Sequence, residues 1–371
     1  MCQASPRREN RPKRSLPSYR GPAKRQAVNS FISCIFPRST RKLLCINILR
    51  TKYFRTPDYY TPRLQLTTLA GDPKIVHNVQ LVLPMRTAFT PKQVARALEV
   101  GESTVKRWCD KGLIETVRTA GGHRKLPVAD VLRFVREQGH ALVAPEVLDL
   151  PPVSANSELG LTNSRARLVD ALLAGDEALT RQIILNLYLA KHRISVICDE
   201  VVAAAFHEIG DRWACRQADV YQERRGCAIA FRLLMELRRT QPRPDIAWPA
   251  AGGTIEGDDY VLPSAMAELV LREAGFHASL LGTSIPVASL INAVEQMRPK
   301  LFWLSVSHIC DPANFLTEFA ALYEACATTG SALVVGGRAL TEDLRQRMTY
   351  SAFCDTMQHL EAFAQTLRRS P

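Results

Sequence analysis

From residue 246 to the C-terminus, short apolar runs alternate with helical periods, and no other feature of the chain restricts its fold as strongly. Runs at 246–250, 277–281, 301–305, 332–335 and 352–354 read as strands, and 260–274, 286–297, 312–328, 341–348 and 356–368 read as the helices between and after them. Strand–helix alternation builds a parallel sheet with helices on both faces. Five strands at this length favour a flavodoxin-like order, in which a ligand sits beyond the carboxyl ends of the strands where the strand order reverses.

The pattern ahead of this stretch is helical over 164–174, 177–190, 194–213 and 219–239, with Gly175 ending the first period and Pro242 and Pro244 closing the last. Connections of a few residues imply an antiparallel four-helix bundle. Residues 141–160 carry Pro145, Pro151, Pro152 and several Ser and Asn and lose the period, so they read as an interdomain linker. No internal repeat is evident.

Residues 90–126 form a third unit. Thr90 is an N-cap type with Pro91 at the first helical position, and Val94, Ala95 and Leu98 follow at helical spacing. A Val100-Gly101 turn precedes a second helix in which Val105 and Trp108 face inward, while Ser103, Thr104, Lys106 and Arg107 face outward. Hydroxyls and cationic side chains of that kind reach phosphates and guanine acceptors in a major groove. Thr116, Val117 and Thr119 then approach a Gly121-Gly122 turn, and His123-Arg124-Lys125 leave it, giving a two-stranded wing on which Arg118, His123 and Arg124 are further candidates for DNA contact. A closing helix runs from Pro127 through Val131, Leu132 and Val135 to Gly139.

Trp108, Gly112, Leu113 and the Gly121-Gly122-His123-Arg124 tip together resemble the MerR-type winged helix-turn-helix over roughly fifty residues. The resemblance implies that the second helix reads DNA and that the wing tip touches its backbone.

Charge supports a local interface. Residues 1–84 hold 16 Lys and Arg against 3 Asp and Glu, 85–140 hold 11 against 6, and 141–371 hold 21 against 27. The basic footprint that matters therefore belongs to the helix-turn-helix, and the C-terminal part is mildly acidic. Residues 1–84 are a basic low-complexity extension, rich in Arg, Ser and Pro, with the composition of a disordered arm or transit peptide. Because Met85 directly precedes the helix-turn-helix, a mis-assigned start is the simpler expectation. Ten scattered cysteines without a Cys-x-x-Cys pair, no secretory core and no apolar run of membrane-spanning length indicate a cytoplasmic protein with reduced thiols.

The bundle and sheet carry a second resemblance, to the cobalamin-dependent, light-responsive MerR-type repressors and, more distantly, to the cobalamin module of methionine synthase. It rests on Leu173-Ala174-Gly175-Asp176, Cys198-Asp199-Glu200-Val201, Glu208-Ile209-Gly210-Asp211-Arg212-Trp213, residues 267–276 and Leu304-Ser305-Val306-Ser307, and it covers about 164–371. Corrinoid-binding members carry Asp-x-His-x-x-Gly after the first strand, the His taking the lower face of cobalt and the Asp holding its other nitrogen. Here the stretch is Asp258-Asp259-Tyr260-Val261-Leu262-Pro263, so Tyr260 stands at the His position and Pro263 at the Gly position. A neutral phenol is a poor cobalt ligand. The light-responsive branch also carries a Trp, nine residues and then Glu-His, which cap the upper face. Here Trp213 is followed by Glu223-Arg224, so Arg replaces that His. Ser305 and Ser307 match a small hydroxyl pair at a strand end, and Gly336-Gly337 matches a Gly-Gly at which backbone approaches the ligand tail. Without the family context, Trp213 reads as bundle core, Gly336-Gly337 as a strand-to-helix turn, Tyr260 as a helix N-terminal residue at the surface and Arg224, beside Glu223, as a solvated or paired charge.

Other chemistry is thinly supported. His207 and Asp211 lie four apart with no third ligand, His308 and Cys310 follow the third strand, and Ala251-Gly252-Gly253 lacks the spacing of a phosphate loop. The expected fold is multidomain α and α/β: extension 1–84, winged helix-turn-helix 85–140, linker 141–160, four-helix bundle 161–241 and flavodoxin-like five-strand sheet domain 242–371. The expected function is a non-enzymatic regulator, a repressor, that binds double-stranded DNA as a homo-oligomer, because a single head contacts few base pairs. Its cofactor is left open. Either no corrinoid binds, the favoured reading, or cobalamin binds with its nucleotide base retained; a corrinoid carrier for methyl transfer is a third reading, which Tyr260 disfavours.

Overall fold

The computed structural model describes residues 63–65, 78–80, 87–119, 121–152, 160–241 and 248–369. The chain divides into two compact units, Met1–Pro84 and Met85–Pro371. In the first, strands β1 (Arg63–Gln65) and β2 (Asn78–Gln80) pair antiparallel. The expectations for the rest of 1–84 lie outside the described residues.

The second unit begins with β3 (Ala88–Phe89) and α1 (Pro91–Ala97). Thr90 caps α1 in both directions: its hydroxyl accepts from the Gln93 amide at 3.2 Å, and the Gln93 side chain accepts from the Thr90 amide at 3.0 Å. Next come α2 (Glu102–Asp110), the wing strands β4 (Val117–Arg118) and β5 (Arg124–Pro127), and α3 (Val128–Gln138). The wing has three strands in the order β3-β5-β4, where two were expected. The third is short because Pro91 ends it within two residues of the helix cap, and a two-residue strand leaves almost no periodic signal in the sequence.

Residues 141–160 are a linker only in part. The amides of Val143 and Ala144 donate to the Ala97 carbonyl, Pro145–Leu148 form a 3₁₀ turn, and Leu142, Leu148 and Leu150 are buried. Their apolar side chains fill the end of α1, an advantage that polar composition conceals.

The bundle comprises α4 (Leu161–Ala174), α5 (Glu177–Leu189), α6 and α7 (Val220–Thr240). Helix α6 is continuous from a single α-helical turn (Ile194–Val196) through a π-helical segment (Ile197–Ala203) to an α-helical end (Ala204–Ala214). The widened segment contains Asp199, whose carboxylate accepts from the Met357 and Gln358 amides at 2.8 and 2.9 Å and so caps the final helix.

The sheet domain runs β6 (Trp248–Ile255), α8 (Val261–Glu273), β7 (Phe276–Ile285), α9 (Val287–Met297), β8 (Leu301–Ser305), α10 (Pro312–Thr329), β9 (Ala332–Gly336), α11 (Glu342–Arg345), β10 (Ala352–Phe353) and α12 (Met357–Arg369). All neighbours are parallel, in the order β10-β9-β8-β6-β7, which is the flavodoxin-like arrangement with its switch point between β6 and β8. β6 extends through Gly252-Gly253, beyond residue 250 where the sequence pattern ended the strand. A Cβ on Gly252 would lie 2.2 Å from the Trp303 carbonyl oxygen, so only glycine lets the two central strands pair over that indole.

One continuous core joins Phe89, Phe134, Leu187, Leu234, Leu269 and Trp303 across head, bundle and one sheet face, and a second core under α9 and α10 fills the other. Carboxylates from the sheet domain tie it to the bundle. Glu268, 1% exposed, accepts from Arg238 at 2.7 Å and Arg272 at 3.4 Å, and Glu361 accepts from Ser195 and pairs with Arg193 at 3.4 Å. Arg136 on α3 brings in the head. Its guanidinium donates to the Tyr188 carbonyl, to the His192 carbonyl at 3.0 Å and to Glu273 at 3.0 Å, and lies 4.4 Å from the Tyr188 ring centre. Glu273 also accepts from the Ile194 amide at 2.7 Å. Burial pushes its carboxyl above the usual range, opposed by that amide and by Arg136.

Candidate functional site

Two surfaces follow from this architecture. On the head, Val105 is buried and Trp108 packs 4.7 Å from Phe134, ring centre to ring centre, which turns the opposite side of α2 to solvent. Ser103, Lys106 and Arg107 are exposed there and Thr104 is half-buried. Lys106 shares its charge with Glu102 at 2.9 Å, an exposed pair one turn apart that phosphate can displace at little cost. Arg118 and His123 are exposed on the wing.

Arg124 differs from that description. Its guanidinium meets the Asp110 carboxylate at 2.8 Å and the Lys106 carbonyl at 3.4 Å, so it clamps the wing onto the C-terminal end of α2. The hydrogen bond to Asp110 raises its already high pKa. Burial pushes the neighbouring Cys109 thiol up.

The second surface is the carboxyl edge of the sheet. Asp258 is completely buried, and its carboxylate accepts from the Tyr260 amide at 3.1 Å, the Ser307 amide at 2.6 Å and the His308 amide at 3.2 Å. It thereby staples the loops after β6 and β8 and holds no imidazole. Ser305 is buried and its hydroxyl accepts from Ser264 at 2.9 Å. Ser307 is turned to Arg338, whose guanidinium donates to its carbonyl at 3.5 Å.

The glycine pair is likewise spent on the protein itself. Gly337 has φ +125°, and a Cβ there would lie 2.2 Å from the Val306 carbonyl oxygen; on Gly336 it would lie 2.3 Å from that of Cys354. The close approach expected of a ligand tail is made by the backbone that follows β8, at Val306, and β10, at Cys354. Tyr260 is the N-cap of α8, with the Arg224 guanidinium 5.9 Å and the Arg338 guanidinium 5.1 Å from its ring centre. Arg224 also pairs with Glu223 at 3.7 Å. Trp213 is 54% exposed at the end of α6, so it belongs neither to the bundle core nor to a closed lid.

Comparison with known proteins agrees with both halves. Residues 88–139 match a helix-turn-helix domain, and residues 164–232 match a B12 binding domain. The chain is a helix-turn-helix regulator with a cobalamin-binding-like module. The HTH-type transcriptional repressor CarA of Myxococcus xanthus is 25% identical to the regulator over 296 residues, spanning 75% of this chain and 97% of the relative. Among solved structures, a monomethylamine corrinoid protein of Methanosarcina barkeri aligns at 13% identity over 56% of this chain and 100% of its own, with a TM-score of 0.46. A cobalamin-binding protein from Desulfitobacterium hafniense aligns at 17% identity over 56% and 98%, with a TM-score of 0.32.

Sequence reasoning missed several residues of the regulator. Arg338 directly follows the glycine pair, and that adjacency was a usable signal. Glu268 lies in the 267–276 stretch that carries the resemblance, but Ser264 and Arg136 left no signal, and Arg136 meets partners 52, 56 and 137 residues away. His207 and Asp211 gain no third ligand, and among the described residues no group of three potential ligands could hold a metal ion. Among the described residues, no helix is long and apolar enough to cross a membrane.

Proposed function

We propose that the regulator is a cytoplasmic, non-enzymatic transcriptional repressor that binds double-stranded DNA as a homo-oligomer and does so without a corrinoid. The observation that carries the reading is the exposed row on α2, Ser103, Lys106 and Arg107, set beside a wing with Arg118 and His123 at the surface. In this reading α2 enters a major groove, Arg107 reads base edges, Lys106 exchanges Glu102 for phosphate, and the wing lies along the backbone. The repressor relative supports the direction of control. Repeated half-sites supply the affinity that one head lacks, and the bundle and sheet serve assembly.

The test is a gel shift with the full-length chain on its own promoter region and on random DNA, with and without cobalamins. Selective retention of the promoter fragment that is indifferent to cobalamin is expected. Equal retention of all fragments would remove the specific-repressor reading, and retention that required cobalamin would remove the corrinoid-free part of it.

A further inference from the structure

We infer that Arg224, Tyr260 and Arg338 form an internal clasp that closes the cleft between bundle and sheet where the related family inserts a corrin ring. The inference deepens the corrinoid-free reading and rests on it. In the resemblance drawn above, positions 224 and 260 face opposite sides of the macrocycle. Atoms in van der Waals contact with the two faces of a flat ring stand about 7 Å apart or more, twice the ~3.5 Å separation of touching carbons. Here the Arg224 guanidinium carbon is 5.9 Å from the Tyr260 ring centre, a cation–π distance with no room for a ring between them.

The remaining family positions are consumed in the same way. Asp258 holds the backbone amides of 260, 307 and 308, Ser305 is buried against Ser264, and the glycine pair is packed against the carbonyls of Val306 and Cys354. Arg338 reaches the same phenol at 5.1 Å from the loop after β9 and is anchored by the Ser307 carbonyl. Arg224 comes from α7, so the phenol is the point at which bundle and sheet meet at the strand ends. Glu223 beside Arg224 offsets the accumulation of positive charge. The residues therefore do not fit a corrinoid, and the two imidazole positions have been replaced by side chains that attract each other.

The clasp also sets what the module does. The ion pairs that the buried carboxylates Glu268 and Glu361 make with Arg238 and Arg193 already tie sheet to bundle, so a clasp at the strand ends keeps the module in one closed arrangement without a ligand. The head, fastened to the same body through Arg136, is then held in one arrangement with it.

A mutant cycle on the full-length chain tests the inference. Tyr260→Ala loses both guanidinium contacts and is expected to lower Tm by roughly 1–3 °C, Arg224→Ala by less, and the double variant by no more than Tyr260→Ala alone. Tyr260→Phe keeps the ring and is expected to keep Tm. Should Tyr260→Ala fail to fold, Arg224→Gln and Arg338→Gln supply the readout, each lowering Tm by less than the loss of both contacts would and by the same amount on the Tyr260→Phe background, which keeps the ring. In parallel, the unmutated chain is incubated in the dark with adenosylcobalamin and hydroxocobalamin, desalted and scanned, and no corrinoid absorbance is expected. Additive effects of Tyr260→Ala and Arg224→Ala, unchanged Tm in the arginine variants, or retained corrinoid absorbance would each overturn the clasp. Failure of the DNA-binding reading shows instead as loss of the gel shift with the cycle intact.

Discussion

The head and the sheet edge have parted in what they do with the same kind of side chain. On α2, Arg107 and Lys106 project from a helix whose other side is fixed by Val105 and Trp108, so their charges stay available to an external partner. At the sheet edge, Arg224 and Arg338 lie on Tyr260, and Asp258 is filled by backbone amides. A surface that meets DNA keeps its polar groups unspent, whereas a cleft between two domains can satisfy its own groups once its ligand residues change. Burial then rewards self-contact, since an unpartnered polar group in the interior costs about 1–3 kcal/mol.

Four perturbations would break or sharpen this contrast, in addition to the clasp cycle. The largest effect is expected for Glu268→Ala, which removes the buried carboxylate that Arg238 reaches from the bundle and should destabilise the chain by about 2–3 kcal/mol in urea unfolding. A change under 1 kcal/mol would mean the bundle–sheet interface is not held by this pair. Arg107→Ala should weaken promoter binding by about 1–3 kcal/mol and relax sequence preference while leaving Tm unchanged; unaltered discrimination in competition gel shifts would move the reading residue elsewhere on α2. Arg136→Ala should cost about 1–2 kcal/mol and expose residues 139–152 to limited proteolysis, because its charged hydrogen bonds join head to module. Protection equal to the parent chain would show that the apolar core alone docks the head.

The smallest effect discriminates most finely. Arg124→Ala should lower affinity about equally on all sequences, by under 1 kcal/mol, with an unchanged slope of log affinity against log salt, since its charge already belongs to Asp110. A slope reduced by about one would return Arg124 to direct phosphate contact.

Residues whose partners are local were legible in advance. Thr90 and Pro91 marked the start of α1, Gly139 the end of α3, and five apolar runs marked five strands whose parallel order follows from the helices between them. Polar stretches misled where packing overrode composition. β7 extends through Gly282 to Ile285 because it pairs with the equally extended β6, and 142–150 packs because Ala97 offers its carbonyl to two amides. Candidate site residues divide along the same line. The faces of α2 follow from helical spacing alone, but the fate of Ser305, Gly337 and Tyr260 depends on atoms contributed by distant loops.

By itself, the sequence determined the winged helix-turn-helix, the bundle, the order of the parallel sheet and the loss of both imidazoles, because periodicity, caps and motif spacing act over a few residues. Only the tertiary structure decided that Arg224 and Tyr260 touch, that Arg124 serves the wing and that Arg136 binds the head to the module. Those contacts join residues 36, 14 and 52 to 137 positions apart, and their existence depends on how head, bundle and sheet bury their common core.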